Sequence, residues 1–254
     1  MGCSFFVGQS TLPVSKLMHN PPDSTLPRDE QPSEDLRANR HGAFKPTSYL
    51  EHYEHFFRDL RHREIRLLEL GIYKGASLLM WRDYFSHGLI AGLDFDEASI
   101  DDPSGRISTY RGLQQDCDLL DRIAREVAPD GFDIIIDDAS HIAEYTQISF
   151  WHLFEKHLKS GGIYIIEDWG TGYWPDWPDG EKCDLARQRT PARSFFKKPR
   201  LRTHQYGMVG FIKQLVDECG AGDVTDIQRG VPPVRPSTIS RMQISQGQVF
   251  VFKR

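Results

Sequence analysis

Short apolar runs alternate with amphipathic stretches along most of the chain, and this alternation predicts its elements in order. In TSYLEHYEHFFRDLRHR, Tyr49, Tyr53, Phe56 and Leu60 share one helical stripe. IRLLEL (65–70) reads as a short apolar strand, GIYKGAS as a turn and LLMWRDYF as a helix. GLIAGLDF is a second strand and ISTYRG a weaker third, followed by a helix, DLLDRIAREVA, with Leu119, Ile123 and Val127 at near-helical spacing. FDIIID and GIYIIED carry no alternation, so both faces of these two strands should be buried. Between them, IAEYTQISFWHLFEKHL sets Ile142, Tyr145, Trp151, Phe154 and Leu158 on a helix, with Ser140 placed to be its N-cap. GMVGFIKQLVDECG predicts a last helix with Gly220 as C-cap, and TISRMQIS and QVFVFKR a closing hairpin. Strands alternating with helices define an α/β fold: a doubly wound, mostly parallel sheet ending in an antiparallel hairpin. Ligands of such sheets bind at the carboxyl ends of the strands. Glu69, Asp94, Asp137, Asp138, Glu167 and Asp168 all fall there.

Two segments escape the pattern. Residues 1–44 are rich in Pro, Ser, Asp and Arg and read as a flexible N-terminal arm. With no internal repeat and no second core, residues 45–254 are expected to form one domain. After Asp168 the stretch 169–205 is long, aromatic and punctuated by Pro and Gly, and such a stretch inside a compact domain is usually functional. The composition of the 254 residues, 39% apolar and 26% charged, is that of an ordinary globular protein. A net charge of −5 leaves no basic excess for a phosphate backbone, so no nucleic-acid partner is expected. No apolar run approaches the ~20 residues of a membrane span. Cys3, Cys117, Cys183 and Cys219 lack CxxC spacing and suggest neither a zinc site nor a disulfide framework. The N-terminus has no secretory pattern, and Phe6 stands where myristoylation wants Ser or Thr. The expected setting is reducing and cytoplasmic.

The first candidate site is the turn LLELGIYKGAS. A carboxylate, Glu69, ends a strand, and Gly71 and Gly75 then let the backbone approach a ligand and take positive φ. Tyr73 stands where a dinucleotide fingerprint needs its middle glycine, the one that makes room for a pyrophosphate, so an NAD enzyme is the weaker reading. A glycine turn behind a carboxylate suits a cofactor with an amino acid moiety and an adenosine. Asp94, ending the next strand, can accept bonds from both ribose hydroxyls.

The second comprises DIIIDDASH and GIYIIEDWG. If their strands are neighbours, Asp138, Glu167 and Asp168 converge at one edge. Carboxylates gathered in a dry cleft repel unless protonated or joined by a cation. All-oxygen ligands favour a hard divalent ion such as Mg²⁺. His141 is placed to take a proton from a hydroxyl resting there. A Ser140–His141 hydrolase is disfavoured, because neighbouring residues seldom face each other and no GxSxG elbow exists. The aromatic run from Trp169 to Trp177, with Trp169, Thr171, Tyr173 and Trp174, could cover an acceptor or simply pack on the sheet.

LLELGIYKGASLLMW, GLDFD, IDDASH and GGIYIIEDWGTGYWP resemble class I S-adenosylmethionine-dependent methyltransferases, in particular the metal-dependent sugar O-methyltransferases of macrolide and other natural-product pathways, and the cephalosporin hydroxylase-like family. The resemblance runs from about Tyr49 to Arg254 and implies a Rossmann-like seven-stranded sheet. It implies S-adenosylmethionine held by Glu69, Gly71, Tyr73, Gly75, Ser77 and Asp94, with Gln114 near the adenine and Asp137 beside the methionine part. It also implies Mg²⁺ on Asp138, Glu167 and Asp168, His141 as general base, a hydroxylated (sugar) acceptor, and assembly as a homo-oligomer. Two positions depart from the pattern: GLQQD carries Leu113 where relatives often have an acid, and Ala139 replaces a common glycine. Two other readings compete. One is a catechol- or polyphenol-type O-methyltransferase; the other is a non-catalytic cofactor-binding protein of the same fold.

Overall fold

The computed structural model describes residues 36, 41–181, 203–225, 228 and 234–254. By its contacts the chain divides after Gln31, and all of these residues belong to the second unit, Pro32–Arg254. Residues 1–35 and 37–40 of the expected arm, Cys3 and Cys183, and residues 182–202 of the aromatic stretch lie outside the described residues.

The elements follow the predicted order. Helix α1 (Thr47–Phe57) precedes β1 (Arg66–Leu70), α2 (Ala76–Tyr84), β2 (Leu89–Asp94) and β3 (Ile107–Arg111). Then come α3 (Cys117–Val127), β4 (Phe132–Asp137), α4 (Ala143–Lys156) and β5 (Leu158–Glu167). A 3₁₀ turn (Trp169–Tyr173), α5 (Gly207–Cys219), α6 (Ala221–Val224), β6 (Ile239–Ile244) and β7 (Gln248–Lys253) complete the chain. The seven strands lie in the order β3-β2-β1-β4-β5-β7-β6; β1 to β5 are parallel, and β7 is antiparallel to both β5 and β6.

The missing alternation of β1, β4, β5 and β7 follows from their double burial. Leu68, Leu70, Ile135, Tyr164, Ile166, Val249 and Val251 face one core, with Leu120, Ile123, Phe150 and Phe211 of the helices. Leu67, Ile134, Ile136, Ile163, Ile165, Phe250 and Phe252 face the other, against Tyr53, Phe57, Leu78 and Trp81 of α1 and α2. Leu36 and Ala43, from the stretch read as an arm, are buried in this second core. Each fully buried aliphatic side chain contributes about 1.5–3 kcal/mol, so the two layers fix the sheet and hold its strand ends in register. Edge strand β3 is half exposed, as its weaker pattern predicts. Among the described residues no helix is long and apolar enough to cross a membrane.

One expected cap is replaced. The N-cap of α4 is Ile142, not Ser140, whose hydroxyl accepts from the Ile142 N–H at 3.2 Å. The donor at Ala143 is met instead by Asp179 Oδ2 at 2.8 Å, which also accepts from Met208 N of α5 at 2.6 Å. One carboxylate therefore serves the positive ends of two helices, a pairing that no local sequence pattern contains.

Candidate active site

The strand order reverses between β1 and β4. At their carboxyl ends lies a cavity of about 870 Å³ lined by Gly71, Tyr73, Asp94, Leu113, Gln114 and Asp138, among others. Its size is that of small-molecule sites. The glycine turn forms one wall. Gly71 has φ +82°, and a Cβ there would meet the Asp138 carbonyl oxygen at 2.2 Å, so only glycine lets the turn lie against the end of β4. Asp94 braces the turn: Oδ2 accepts from Ile72 N (2.9 Å) and Tyr73 N (2.7 Å).

The other expected cofactor residues divide. Ser77 Oγ donates to Glu69 Oε2 at 2.6 Å, and Glu69 is wholly buried. Gln114 accepts from Ser140 N at 2.9 Å while its amide donates to Asp137 Oδ1 at 3.2 Å. Asp137 is turned into the core, where Ser149 and Tyr164 donate to Oδ2 at 3.0 Å each. Burial pushes its carboxyl up to about 6, outweighing the bonds from Tyr164 and Ser149. The folded state therefore holds this proton more tightly than the unfolded chain, where aspartate titrates near ~3.9. The stability it contributes is present in full at low pH and declines from about pH 4 to pH 6, by at most ~1.4 kcal/mol per pH unit. Urea unfolding over that range should find a steeper decline in the parent than in Asp137→Asn.

The acids of β4 and β5 meet as adjacency requires, with Asp137 paired to Ile166. Ligand atoms of Asp138, His141 and Asp168 lie within 4.8 Å of one another. His141 Nε2 stands 3.7 Å from Asp138 Oδ1 and 3.9 Å from Asp168 Oδ2. Glu167 is drawn elsewhere: its Oε1 receives Lys45 Nζ at 2.9 Å and the Tyr53 hydroxyl. Tyr73, His141 and Asp168 are the non-glycine residues with positive φ (49°, 52° and 51°) among those described. Such backbone is unfavourable for side-chain-bearing residues and gathers at functional sites.

Lys45 was not singled out by the sequence reading. Its ammonium is buried among acids of three adjacent strand ends: Glu69 Oε1 at 3.1 Å, Asp138 Oδ2 at 2.8 Å and Glu167 Oε1 at 2.9 Å. Burial alone would discharge it, but the charges of Asp138, Glu167 and Glu69 prevail and hold it well above the ordinary lysine range. Burial raises the Glu69 and Glu167 carboxyls, and the Asp138 charge raises both further, against the opposing pull of Lys45. Tyr49 and Tyr53, legible only as an apolar stripe, send their hydroxyls to Asp168 Oδ1 (2.5 Å) and Glu167. No linear signal marks Lys45, because a lone lysine beside a polar arm reads as a solvated charge.

The aromatic segment divides as well. Thr171 is buried, and its hydroxyl and Trp177 Nε1 both donate to the His141 carbonyl (3.1 and 3.2 Å). These bonds help hold His141 in its left-handed conformation. Trp169 Nε1 donates to Ser245 O at 3.0 Å, and the Tyr173 ring packs edge-on against His204. Trp174 is half exposed.

The donor set fits a divalent cation. Three carboxylates, Glu69, Asp138 and Glu167, share one ammonium, so negative charge is left over, and Asp138 with Asp168 and His141 brings ligand atoms to one point.

A sheet in this order, with a glycine turn after β1, an acid closing β2 and a crevice at the β1/β4 reversal, is the Rossmann-like fold of class I methyltransferases. The chain is homologous to sugar O-methyltransferases of macrolide and polyketide pathways, as its motifs suggested. It is 44% identical over 146 residues to mycinamicin VI 2″-O-methyltransferase of Micromonospora griseorubida, covering 53% of this chain and 35% of that protein. It is 32% identical over 229 residues to the 8-demethyl-8-α-L-rhamnosyl tetracenomycin-C 2′-O-methyltransferase of Streptomyces olivaceus, covering 85% of this chain and 53% of that one. Among solved structures it is similar to the MycE methyltransferase of the mycinamycin pathway, in complex with Mg, S-adenosylhomocysteine (SAH) and mycinamycin VI. There the TM-score is 0.66 at 32% identity, over 86% of this chain and 53% of that one. The chain thus spans about half the length of these relatives, or less. No protein-family model matches it.

Proposed function

We propose that this chain is a divalent-ion-dependent O-methyltransferase that moves a methyl group from S-adenosylmethionine to a hydroxyl of a sugar, free as a nucleotide sugar or carried by a glycosylated natural product. The observation that carries this reading is the Asp138–His141–Asp168 cluster opening beside a cavity walled by the glycine turn and Asp94. The cofactor would supply an activated methyl group, and a divalent ion such as Mg²⁺, on Asp138 and Asp168 with Glu167 behind them, would lower the pKa of the acceptor hydroxyl. Asp94 and Gly71 would hold the nucleoside and amino acid ends of the cofactor. Lys45 fixes Asp138 Oδ2, leaving Oδ1 directed at His141. His141 Nε2 takes the hydroxyl proton as the methyl is transferred. Trp174, half exposed, offers a flat face to a sugar ring.

Turnover of S-adenosylmethionine to S-adenosylhomocysteine is to be measured with glycosylated macrolides, nucleotide sugars and catechols. Turnover on the sugar-bearing acceptors is expected. Methylation of the catechols alone would move the assignment to the polyphenol class. Cofactor binding without turnover on any acceptor would favour a binding protein. EDTA is expected to abolish the rate and added Mg²⁺ to restore it; full activity in EDTA removes the ion from the reading. Assembly as a homo-oligomer belongs to the same proposal and is measured by light scattering.

A further inference from the structure

A second cluster stands apart from these residues. Asp121 on α3, His152 on α4 and His157, the C-cap of α4, bring one ligand atom each to within 4.8 Å of one another. Both imidazoles turn the same nitrogen to the same oxygen: His152 Nε2 and His157 Nε2 each lie 2.6 Å from Asp121 Oδ1. The side chains are shielded without being sealed, at 9%, 19% and 30% exposure for His152, His157 and Asp121. Their backbones are held. His157 N donates to Leu153 O at 2.9 Å and its carbonyl accepts from Phe132 N at 2.7 Å, while Leu120 and Leu153, beside Asp121 and His152, are fully buried in one core.

We propose that Asp121, His152 and His157 form a binding site for a borderline divalent transition ion of the zinc class. Two imidazole nitrogens and one carboxylate oxygen are the donors such ions prefer, whereas Mg²⁺ and Ca²⁺ prefer oxygen alone. Three protein ligands with an exposed side leave the fourth tetrahedral position to water. Bonds of ~2.0–2.2 Å place tetrahedral ligand atoms about 3.3 Å apart. The cluster must therefore open by less than ~1 Å, which the part-exposed Asp121 side chain allows. The ion takes the place of the proton between each Nε2 and Oδ1: in a neutral ring that proton passes to Nδ1, and in a charged ring, which already carries a proton on Nδ1, it leaves to solvent. Lys156 Nζ, 3.4 Å from His152 Nδ1, moves off as that nitrogen becomes the N–H of the ring. The bound ion ties α3 to the junction of α4 and β5.

Metal-free protein is titrated with Zn²⁺ by calorimetry in saturating Mg²⁺, with neither methyl donor nor acceptor present, so the outcome does not depend on the proposed methyl transfer. One equivalent is expected to bind. His157→Gln and Asp121→Asn should each weaken it at least about tenfold, and Asp138→Asn should leave it unchanged. Co²⁺ should give the visible absorption of a tetrahedral site in the parent and lose it in His157→Gln. Circular dichroism establishes that Asp121→Asn, which preserves shape, is folded. The proposal is overturned by failure to bind Zn²⁺ in Mg²⁺, by binding indifferent to both cluster variants, or by a single equivalent that disappears in Asp138→Asn. In any of these cases the three residues are a hydrogen-bonded clamp and nothing more.

Discussion

Lys45→Met is expected to lower the stability of the fold by about 3–5 kcal/mol at neutral pH, the cost of leaving buried charges without their partner. The ammonium lies within 3.1 Å of carboxylates from the ends of β1, β4 and β5. Methionine fills the volume but neutralises nothing, so Glu69, Asp138 and Glu167 are left to repel one another in a dry site. The sign of the pH dependence follows. Glu69 and Glu167 already sit above the usual carboxylate range because of burial, and losing Lys45 raises them further. A raised carboxyl binds protons better in the folded state, so the deficit is largest at neutral pH and shrinks as the solution is acidified. Urea unfolding at pH 7.5 and 5.5 measures both quantities. A variant within 1 kcal/mol of the parent at pH 7.5 (well under the range just given) would mean that these acids are not held by Lys45. Catalysis should fall by about 10²-fold as well, since Asp138 loses the contact that fixes its second oxygen and small misplacements are costly.

Replacing His141 by asparagine should cut kcat by about 10²–10⁴-fold, the usual contribution of a general base. Asparagine is the informative choice: it tolerates the left-handed backbone at φ 52°, so loss of rate is not confounded with backbone strain. It also keeps the carbonyl to which Thr171 and Trp177 donate. Affinity for S-adenosylhomocysteine by calorimetry should stay close to the parent's, because the imidazole faces Asp138 and Asp168 and is not among the residues lining the cavity. An unchanged rate would place proton removal elsewhere.

The doubly buried strands, the order of helices and the closing hairpin were all legible, because hydrophobic periodicity is a local property that burial imposes along the chain. So was the collection of acids at the strand ends, since a parallel sheet sends every strand's carboxyl end to one edge. What each acid faces was not legible. Glu167 and Asp168 are neighbours in the chain, yet Glu167 turns to Lys45 and Tyr53, and Asp168 toward His141 and Tyr49. Thr171 reads as an acceptor contact in a linear view but is buried as a strut for His141. Ser140 reads as the cap of α4, but Asp179, 36 positions beyond Ala143, takes the donor.

The pattern of residues alone determined that this chain folds as a twisted sheet between two helical layers and carries an acidic edge beside a glycine turn. Periodicity and backbone permissiveness act within a few residues of each position. Only the tertiary structure decided that Lys45 enters that edge as a buried cation, that two tyrosine hydroxyls steady its acids, and that Asp121 meets two histidines on the neighbouring helix. Those contacts join residues from 24 to 122 positions apart. They depend on how strand ends and helix faces are brought together by packing, which no stretch of local sequence encodes.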